Sequence, residues 1–521
     1  MNYSPPGYFL WDTWYMPVGD LVHCYHLTLR RPGVDAKTHD ERWISHCVSR
    51  DLINWENRGQ ILGPDADNPD DNAHLFTGCA VWHNGRGYLY YCMRAAAVDK
   101  QAMALATSSD GDHWVKHSHN PVISPDPRWY ATLGKPFHFQ ECRDLTIIAD
   151  PRGGFLGYYV ARLKEGRELV DTHCIACVHS DDLIHWEHLP PAFAPRKYNI
   201  AEVPEVFELN GRYYMTLLTG HSYGNRGLFS DPNVTTGTIY AVADQLPGPF
   251  HELANNVLLG SSNYGPLSAR SVFFEGRRYL MYSDHEYFHP RDDGGSTVIG
   301  TLSTPKGLRT SGDELQAVYC DRVESRVTAE LVGPSNPVRW RPGPWRPGWP
   351  TLSPLWQDNP DGSVTGDTVS GLDARLAQGE LEHGILEVSV TIERGVAAGL
   401  VFRQNEHGAG PTIVLDAQRG LIEYEDDTGF HAFRERRQAP VAVGKPMRLR
   451  VVTRGEHIEA YLDDVLYLAF PRYLFMDYRG FGLFVDRARA TFRDLRARTL
   501  NVTIPWKQVV AQPPSAMSSM P

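Results

Sequence analysis

No apolar run in the 521-residue chain approaches the roughly 18–20 positions that a membrane-spanning helix needs, so no membrane partner is expected. A basic surplus is missing too. The formal net charge is −11, the wrong sign for neutralising nucleic-acid phosphates, and no nucleic-acid partner is expected. Cysteine is sparse, with eight residues, and most are single: Cys24, Cys47, Cys79, Cys92 and Cys142 sit in strand-like segments, as buried reduced thiols do. Cys174 and Cys177 form a lone Cys-x-x-Cys without a second pair or a histidine at metal spacing. No metal and no cofactor are therefore expected. Met1 to Trp11 offers neither a basic stretch nor a long apolar one, which makes a cytoplasmic location the expectation. Helical periodicity is scarce throughout.

What is present is ordinary globular composition, 42% hydrophobic and 22% charged, with length for two large β domains. The first part of the chain repeats one phrase: a strand ending in Ser, then Asp, a few turn residues and a Trp. It occurs at Val48–Glu56, Ala106–Trp114 and Val178–Glu187. Between these marks run alternating aromatic and aliphatic residues broken by Asn84-Gly85 and Asn210-Gly211, a strong hairpin signal. A period near 65 residues over about 330 leaves room for five four-stranded blades. The fold class expected is all-β: a five-bladed β-propeller over 1–333, then a Pro/Trp-rich linker over 334–360. Period-two alternation in Ile385–Ile392, Gly399–Arg403 and Ile458–Val465 suits a concanavalin-like β-sandwich over 361–505 that braces the propeller. A tail over 506–521 is expected to follow. The aspartates of the repeats, Asp51, Asp110 and Asp181, read as turn residues bonding their own backbone.

A propeller makes a pocket where its innermost strands converge, and acidic residues there are candidates for chemistry. Cleaving a glycosidic bond needs one carboxylate near the anomeric carbon and a proton-bearing one at the leaving oxygen. Three acidic contexts stand out: Leu10-Trp11-Asp12-Thr13-Trp14, Glu141-Cys142-Arg143-Asp144-Leu145, and Glu202-Val203-Pro204-Glu205. Further marks are Trp43–Ser49 followed by Asp51-Leu52 and Trp55-Glu56, Phe76-Thr77-Gly78-Cys79-Ala80, and Tyr264-Gly265 with Ser268-Ala269.

In order and type these motifs resemble glycoside hydrolase family 32, the invertases, inulinases, levanases and fructosyltransferases, with families 68 and 43 as relatives. The resemblance runs over roughly residues 8–290. It implies Asp12 as nucleophile, Asp144 as transition-state stabiliser and Glu202 as acid/base of a retaining enzyme, the acid and nucleophile about 5–5.5 Å apart. Arg143 would pair with the carboxylates or hold a ring hydroxyl. Trp11 and Trp14 would stack on sugar or pack in the core, His46 would contact the ligand or serve as a buried hydrogen-bonded histidine, Phe76, Thr77 and Tyr264 would line the pocket, and Glu205 would serve as pocket wall or ion-pair partner. The substrate implied is an oligosaccharide or small glycoside, with β-fructofuranosidase-like, exo-acting cleavage, and transfer to a second sugar left open. An inverting, arabinofuranosidase-like enzyme of the family 43 kind and a non-catalytic sugar-binding propeller remain as alternatives. The chain departs from the family at each motif. Asp12 lacks the Asn-Asp-Pro-Asn-Gly context, Arg-Asp-Pro is Arg-Asp-Leu, and Glu-Cys-Pro-Asp is Glu-Val-Pro-Glu, so a rebuilt sugar pocket is expected.

Overall fold

The computed structural model describes residues 3–30, 43–134, 137–262, 266–288, 296–341, 355–405, 410–426, 433–472 and 478–502. Tyr264, positions 342–354 of the expected linker and the whole expected tail lie outside the described residues.

Four antiparallel sheets of four strands follow one another along the chain. They are β1 (Tyr8–Val18) to β4 (Glu56–Leu62) through β2 (Leu21–Arg30) and β3 (Ile44–Ser49); β5 (Leu75–His83) to β8 (Val115–Lys116) through β6 (Arg86–Arg94) and β7 (Gln101–Ser108); β9 (Arg143–Ala149) to β12 (Glu187–Phe193) through β10 (Phe155–Arg162) and β11 (His173–Ser180); and β13 (Glu202–Leu209) to β16 (His251–Ser261) through β14 (Arg212–Gly220) and β15 (Thr236–Ala243). Local sequence explains the hairpins. Asn84-Gly85 and Asn210-Gly211 both take positive φ, 50° and 75° in the first and 54° and 79° in the second, as two-residue hairpin turns require.

The repeated phrase builds one turn three times. The hydroxyls of Ser49, Ser108 and Ser180 each accept an N–H three residues on at 2.9 Å. The carboxylates of Asp51, Asp110 and Asp182 each accept two further N–H groups. In the third copy the turn residue is Asp182 and not the expected Asp181, because the carboxylate must stand two positions past the serine to reach both donors. The tryptophans then close the seams between sheets: Trp114 packs edge-on against Tyr25, and Trp186 against Tyr90.

The expectation of five blades is corrected to four. Among the described residues only β1–β4, β5–β8, β9–β12 and β13–β16 stand as separate four-stranded sheets; the next strands, β17 (Leu267–Phe274), β18 (Arg277–Phe288) and β19 (Ser296–Leu302), open a seventeen-stranded sheet that runs on into the C-terminal half. The physical reason is an edge that never becomes free. Lys306–Ser311 pairs back onto β18, and the strand after it, Glu314–Val318, pairs with Val465–Pro471 from the other end of the chain. β17 still fills its place at the axis, packing between β13 and β1, so the innermost strands β1, β5, β9, β13 and β17 form a closed ring.

The C-terminal half is a large sheet region resembling a sandwich. Two strands of 21 residues each, Gly384–Gln404 and Gly480–Leu500, pair with one another from Gly384↔Thr499 to Gln404↔Gly480. Shorter strands flank them, and the enclosed core is apolar, with Leu386, Val388, Leu400, Ile413, Leu449 and Phe481 among its members. Trp356–Asp358, inside the expected linker, is itself a strand paired with Val364–Asp367.

Charge ties this half to the propeller. Glu459 lies between Lys306, at 2.8 Å, and Arg454, all three fully buried, and beside them Asp284 of β18 meets His457 at 2.8 Å. Burial alone would raise the carboxyl of Glu459, but Arg454 and then Lys306 hold it down at about 2. Its contribution to stability is therefore fully present above the ordinary carboxylate range and lost only as the pH falls through that value. Replacing Glu459 by Gln removes the carboxylate that two buried cations share, and a loss of about 3–5 kcal/mol in unfolding free energy is expected, read from the denaturant midpoint. An unchanged midpoint would show that the cluster does not hold the halves together.

Candidate active site

Each inner strand is interrupted near its first residues. The register slips between Leu10 and Thr13 in β1, Phe76 and Cys79 in β5, Glu202 and Glu205 in β13, and Leu267 and Arg270 in β17; β9 slips next to Arg143 where it pairs with β10. Bulges of this kind re-aim side chains. Asp144, Val203 and Ser268 all sit within them at positive φ, 61°, 53° and 50°, an unfavourable conformation for a β-branched residue such as Val203. In β5 the bulge needs Gly78, because any side chain there would run into the carbonyl of Tyr90. The common result is that five strands turn polar groups toward the same end of the axis.

Asp12 is buried, and its two oxygens accept from the hydroxyls of Thr77 and Ser268. The carbonyl just before it, on Trp11, accepts from Ser283 at 2.7 Å, which pins the bulge of β1. Burial pushes the Asp12 carboxyl up to about 6, with Glu202 adding to the rise and Ser268, Thr77 and Arg270 opposing it.

Asp144 accepts the Val203 N–H at 3.1 Å and lies 3.5 Å from Arg143. Burial raises its carboxyl to about 7 against the pull of Arg143, and the charges of Glu202 and Asp12 add to the rise. Glu202 is held on both oxygens, by Arg143 at 3.1 Å and by the phenol of Tyr223. Burial, then the Glu202 charge, keeps that phenol protonated well above its usual range.

Arg143 is the cation among these groups. It reaches Glu141 at 3.4 Å as well as Asp144 and Glu202. Burial works against its charge, but Glu141, then Asp144 and Glu202, keep it protonated. Behind it Glu141 is anchored by Arg162 at 2.9 Å.

The structure thus brings Asp12, Thr77, Arg143, Asp144 and Glu202 together. Phe76 borders Thr77, partly buried beneath the guanidinium of Arg94 at 4.9 Å. Trp11 is half-buried. Trp14 is 2% exposed and belongs to the core between the first two sheets, because past the bulge it faces the seam and not the axis.

Glu205 lies deeper, accepting the N–H and hydroxyl of Ser271 at 2.7 and 2.8 Å. His46 stands apart. It lies in β3, third from the axis, its ring nitrogen 3.0 Å from that of His23, with Asp112 at 3.3 Å on its other side. The rings are nearly parallel and face each other nitrogen to nitrogen on neighbouring strands of one sheet.

Tyr223 and Ser268 join the site although neither is among the candidate site residues read from the sequence. Ser268 carries a faint signal, in Ser268-Ala269; Tyr223, in the turn after β14, carries none.

Residues 21–274 match the sequence model described as the glycosyl hydrolases family 32 N-terminal domain. The chain is 27% identical over 310 residues to a probable sucrose-6-phosphate hydrolase of Vibrio cholerae, covering 56% of this chain and 51% of that one. It is 28% identical over 198 residues to β-fructofuranosidase 1 of Zea mays, covering 36% of this chain and 27% of that one. The chain thus spans about half the length of the Vibrio relative and less of the maize one. Among solved structures, its fold resembles exo-inulinase from Aspergillus awamori, with TM-score 0.69, 14% identity, and 97% and 98% of the two chains covered. It also resembles fructan 1-exohydrolase IIa from Cichorium intybus, with TM-score 0.63, 16% identity, and 96% and 98% covered. In its matched N-terminal region and its relatives, the chain is similar to glycoside hydrolase family 32.

Proposed function

We propose that this chain is a retaining, exo-acting furanosidase of the β-fructofuranosidase type. The observation that carries the reading is the meeting of Asp12, Asp144 and Glu202 at one end of the propeller axis, with Arg143 joined to two of them. The relatives support a fructosyl unit: those named above include a β-fructofuranosidase, a fructan 1-exohydrolase and an exo-inulinase.

The chemistry then divides in two. Asp12 attacks the anomeric carbon while Glu202 gives its proton to the departing oxygen, and a glycosyl ester forms on Asp12. Glu202 next takes a proton from water, the water oxygen displaces Asp12, and the sugar leaves with its original configuration. Thr77 and Ser268 fix the Asp12 carboxylate and still leave each oxygen a lone pair for the attack. Asp144 accepts hydrogen bonds from ring hydroxyls that strengthen as positive charge develops on the sugar.

Asp12→Asn and Glu202→Gln, assayed on aryl fructo-, arabino- and galactofuranosides and on fructan oligosaccharides, are expected to lose activity by roughly 10²–10⁴-fold or more while staying folded. Full activity in Asp12→Asn would sink its assignment as nucleophile, and a panel left uncut by the wild type would favour a sugar-binding propeller. Product anomers followed by NMR should keep the substrate configuration; inversion would overturn the double displacement.

The pH dependence follows from the burial of Asp12. The attack needs its ionised form, so kcat/KM is expected to fall as the pH drops through about 6. A profile flat down to pH 4.5 would contradict this.

A further inference from the structure

The Ser-x-Asp turn is built alike three times, but the seams it closes differ in chemistry. Tyr25 of β2 donates to the carbonyl of Gly111 at 2.9 Å, as Tyr90 of β6 does to that of Leu183. The seam between the first two sheets therefore corresponds, residue by residue, to the seam between the second and third. In the later seam the positions around the tyrosine are apolar: Leu105 opposite Tyr90, Tyr88 two residues before it, and Leu183 and Ile184 in the turn. The earlier seam holds His46, His23, Gly111 and Asp112 at those four positions. Two imidazoles and a carboxylate stand where Leu, Tyr and Ile would pack. The glycine makes room for them, since a Cβ at Gly111 would lie 2.7 Å from Cε1 of His23.

These groups converge from three elements. Nδ1 of His23, on β2, lies 3.0 Å from Nε2 of His46, on β3. Nδ1 of His46 faces Oδ1 of Asp112, in the turn after β7, at 3.3 Å. One donor atom from each of the three side chains lies within 4.8 Å of the other two. His46 is fully buried, yet its Nδ1 and the Asp112 oxygen facing it both stand without a hydrogen-bond partner. They are close enough for a hydrogen bond and do not make one. Buried polar atoms are nearly always satisfied, so two that face each other unpaired in a seam call for a group that joins them.

We propose that His23, His46 and Asp112 bind a divalent transition-metal ion of the zinc class, which ties the first sheet to the second. Imidazole nitrogens with one carboxylate suit zinc, cobalt or nickel, whereas calcium and magnesium take oxygen ligands. Zinc bonds of about 2.0–2.1 Å at tetrahedral angles set ligand atoms about 3.3–3.4 Å apart, so the two ring nitrogens need part only slightly. One ion takes one nitrogen of His46, and the carboxylate of Asp112, 40% exposed, is the ligand with freedom to turn toward it. Three protein ligands leave a fourth position to water. Two ligands come from the first sheet and one from the second, away from the axis, so the site stands independently of the glycosidase reading.

The test titrates the full chain, stripped with a chelator, with Zn²⁺ by calorimetry and with Co²⁺ by visible absorption, in wild type, Asp112→Asn and His46→Leu. The wild type is expected to take up one equivalent of Zn²⁺ at this site and to melt a few degrees higher with it. His46→Leu, which restores the residue type of the later seam, should lose that equivalent and the shift in melting temperature. Asp112→Asn, on the half-exposed turn, should weaken binding by roughly tenfold or more, because losing a ligand costs no less than losing an outer partner of one. Co²⁺ should give visible bands in the wild type that His46→Leu removes. Absence of saturable Zn²⁺ binding in the wild type would overturn the proposal. So would equal binding by wild type and Asp112→Asn, which decides the matter even if His46→Leu fails to fold. Ca²⁺ bound in place of Zn²⁺ with the same dependence on the variants would overturn the class of ion.

Discussion

The guanidinium of Arg143 lies within 3.5 Å of three carboxylates, Glu141 and Asp144 from the edge of its own sheet and Glu202 from the next. Without it the site could not assemble. Like charges brought out of water repel strongly, and each also loses hydration, so a cation fixed among them is what lets two sheets press their acidic edges together. The cation is itself held in place: Gln101 contacts it from β7, and Arg162 anchors Glu141 behind it. Contacts from three of the four blades therefore meet at one side chain.

Backbone geometry performs the other half of the assembly. A regular strand would alternate its side chains between two faces, and five regular strands would show the axis a mixture of polar and apolar groups. The bulges break that alternation at the same level in every inner strand. Their cost is visible in the left-handed conformations of Asp144, Val203 and Ser268. The compensation is also visible, since the N–H of Val203 is bonded to Asp144 and the hydroxyl of Ser268 to Asp12. Strain in the chain and contact at the site are two sides of one arrangement.

Part of this is legible in the amino-acid sequence. Asn-Gly turns and Ser-x-Asp turns are local, decided within four residues, and they mark sheets and seams by themselves. The three acids can be picked out because each stands at the head of a strand, beside residues whose order matches a known family. What stays hidden depends on distant parts of the chain. The blade count fails because Val318 pairs with Val465, a contact across almost 150 residues that no local pattern announces. His46 sits in a motif-like stretch, yet strand order carries it to β3, away from the axis. Tyr223 belongs to an unremarkable segment and gains meaning only from what surrounds it.

The electrostatics of the site also set its relation to stability. Asp12 and Asp144 are raised to about 6 and about 7, burial being the main cause for both. In the unfolded chain both would ionise near pH 4. Between those values the folded protein binds more protons than the unfolded one, so these two groups weaken the fold as the pH rises, and the penalty is complete only above about 7. Because their charges act on one another, the protons belong to the cluster and not to single residues. Glu459 has the opposite sign, stabilising the fold at every pH above the carboxylate range. The junction with the C-terminal half thus adds stability under the conditions in which the ionised axis is most costly, and the brace and the strained centre are linked through β18, which carries both Asp284 beside the Glu459 cluster and Ser283 on the carbonyl before Asp12.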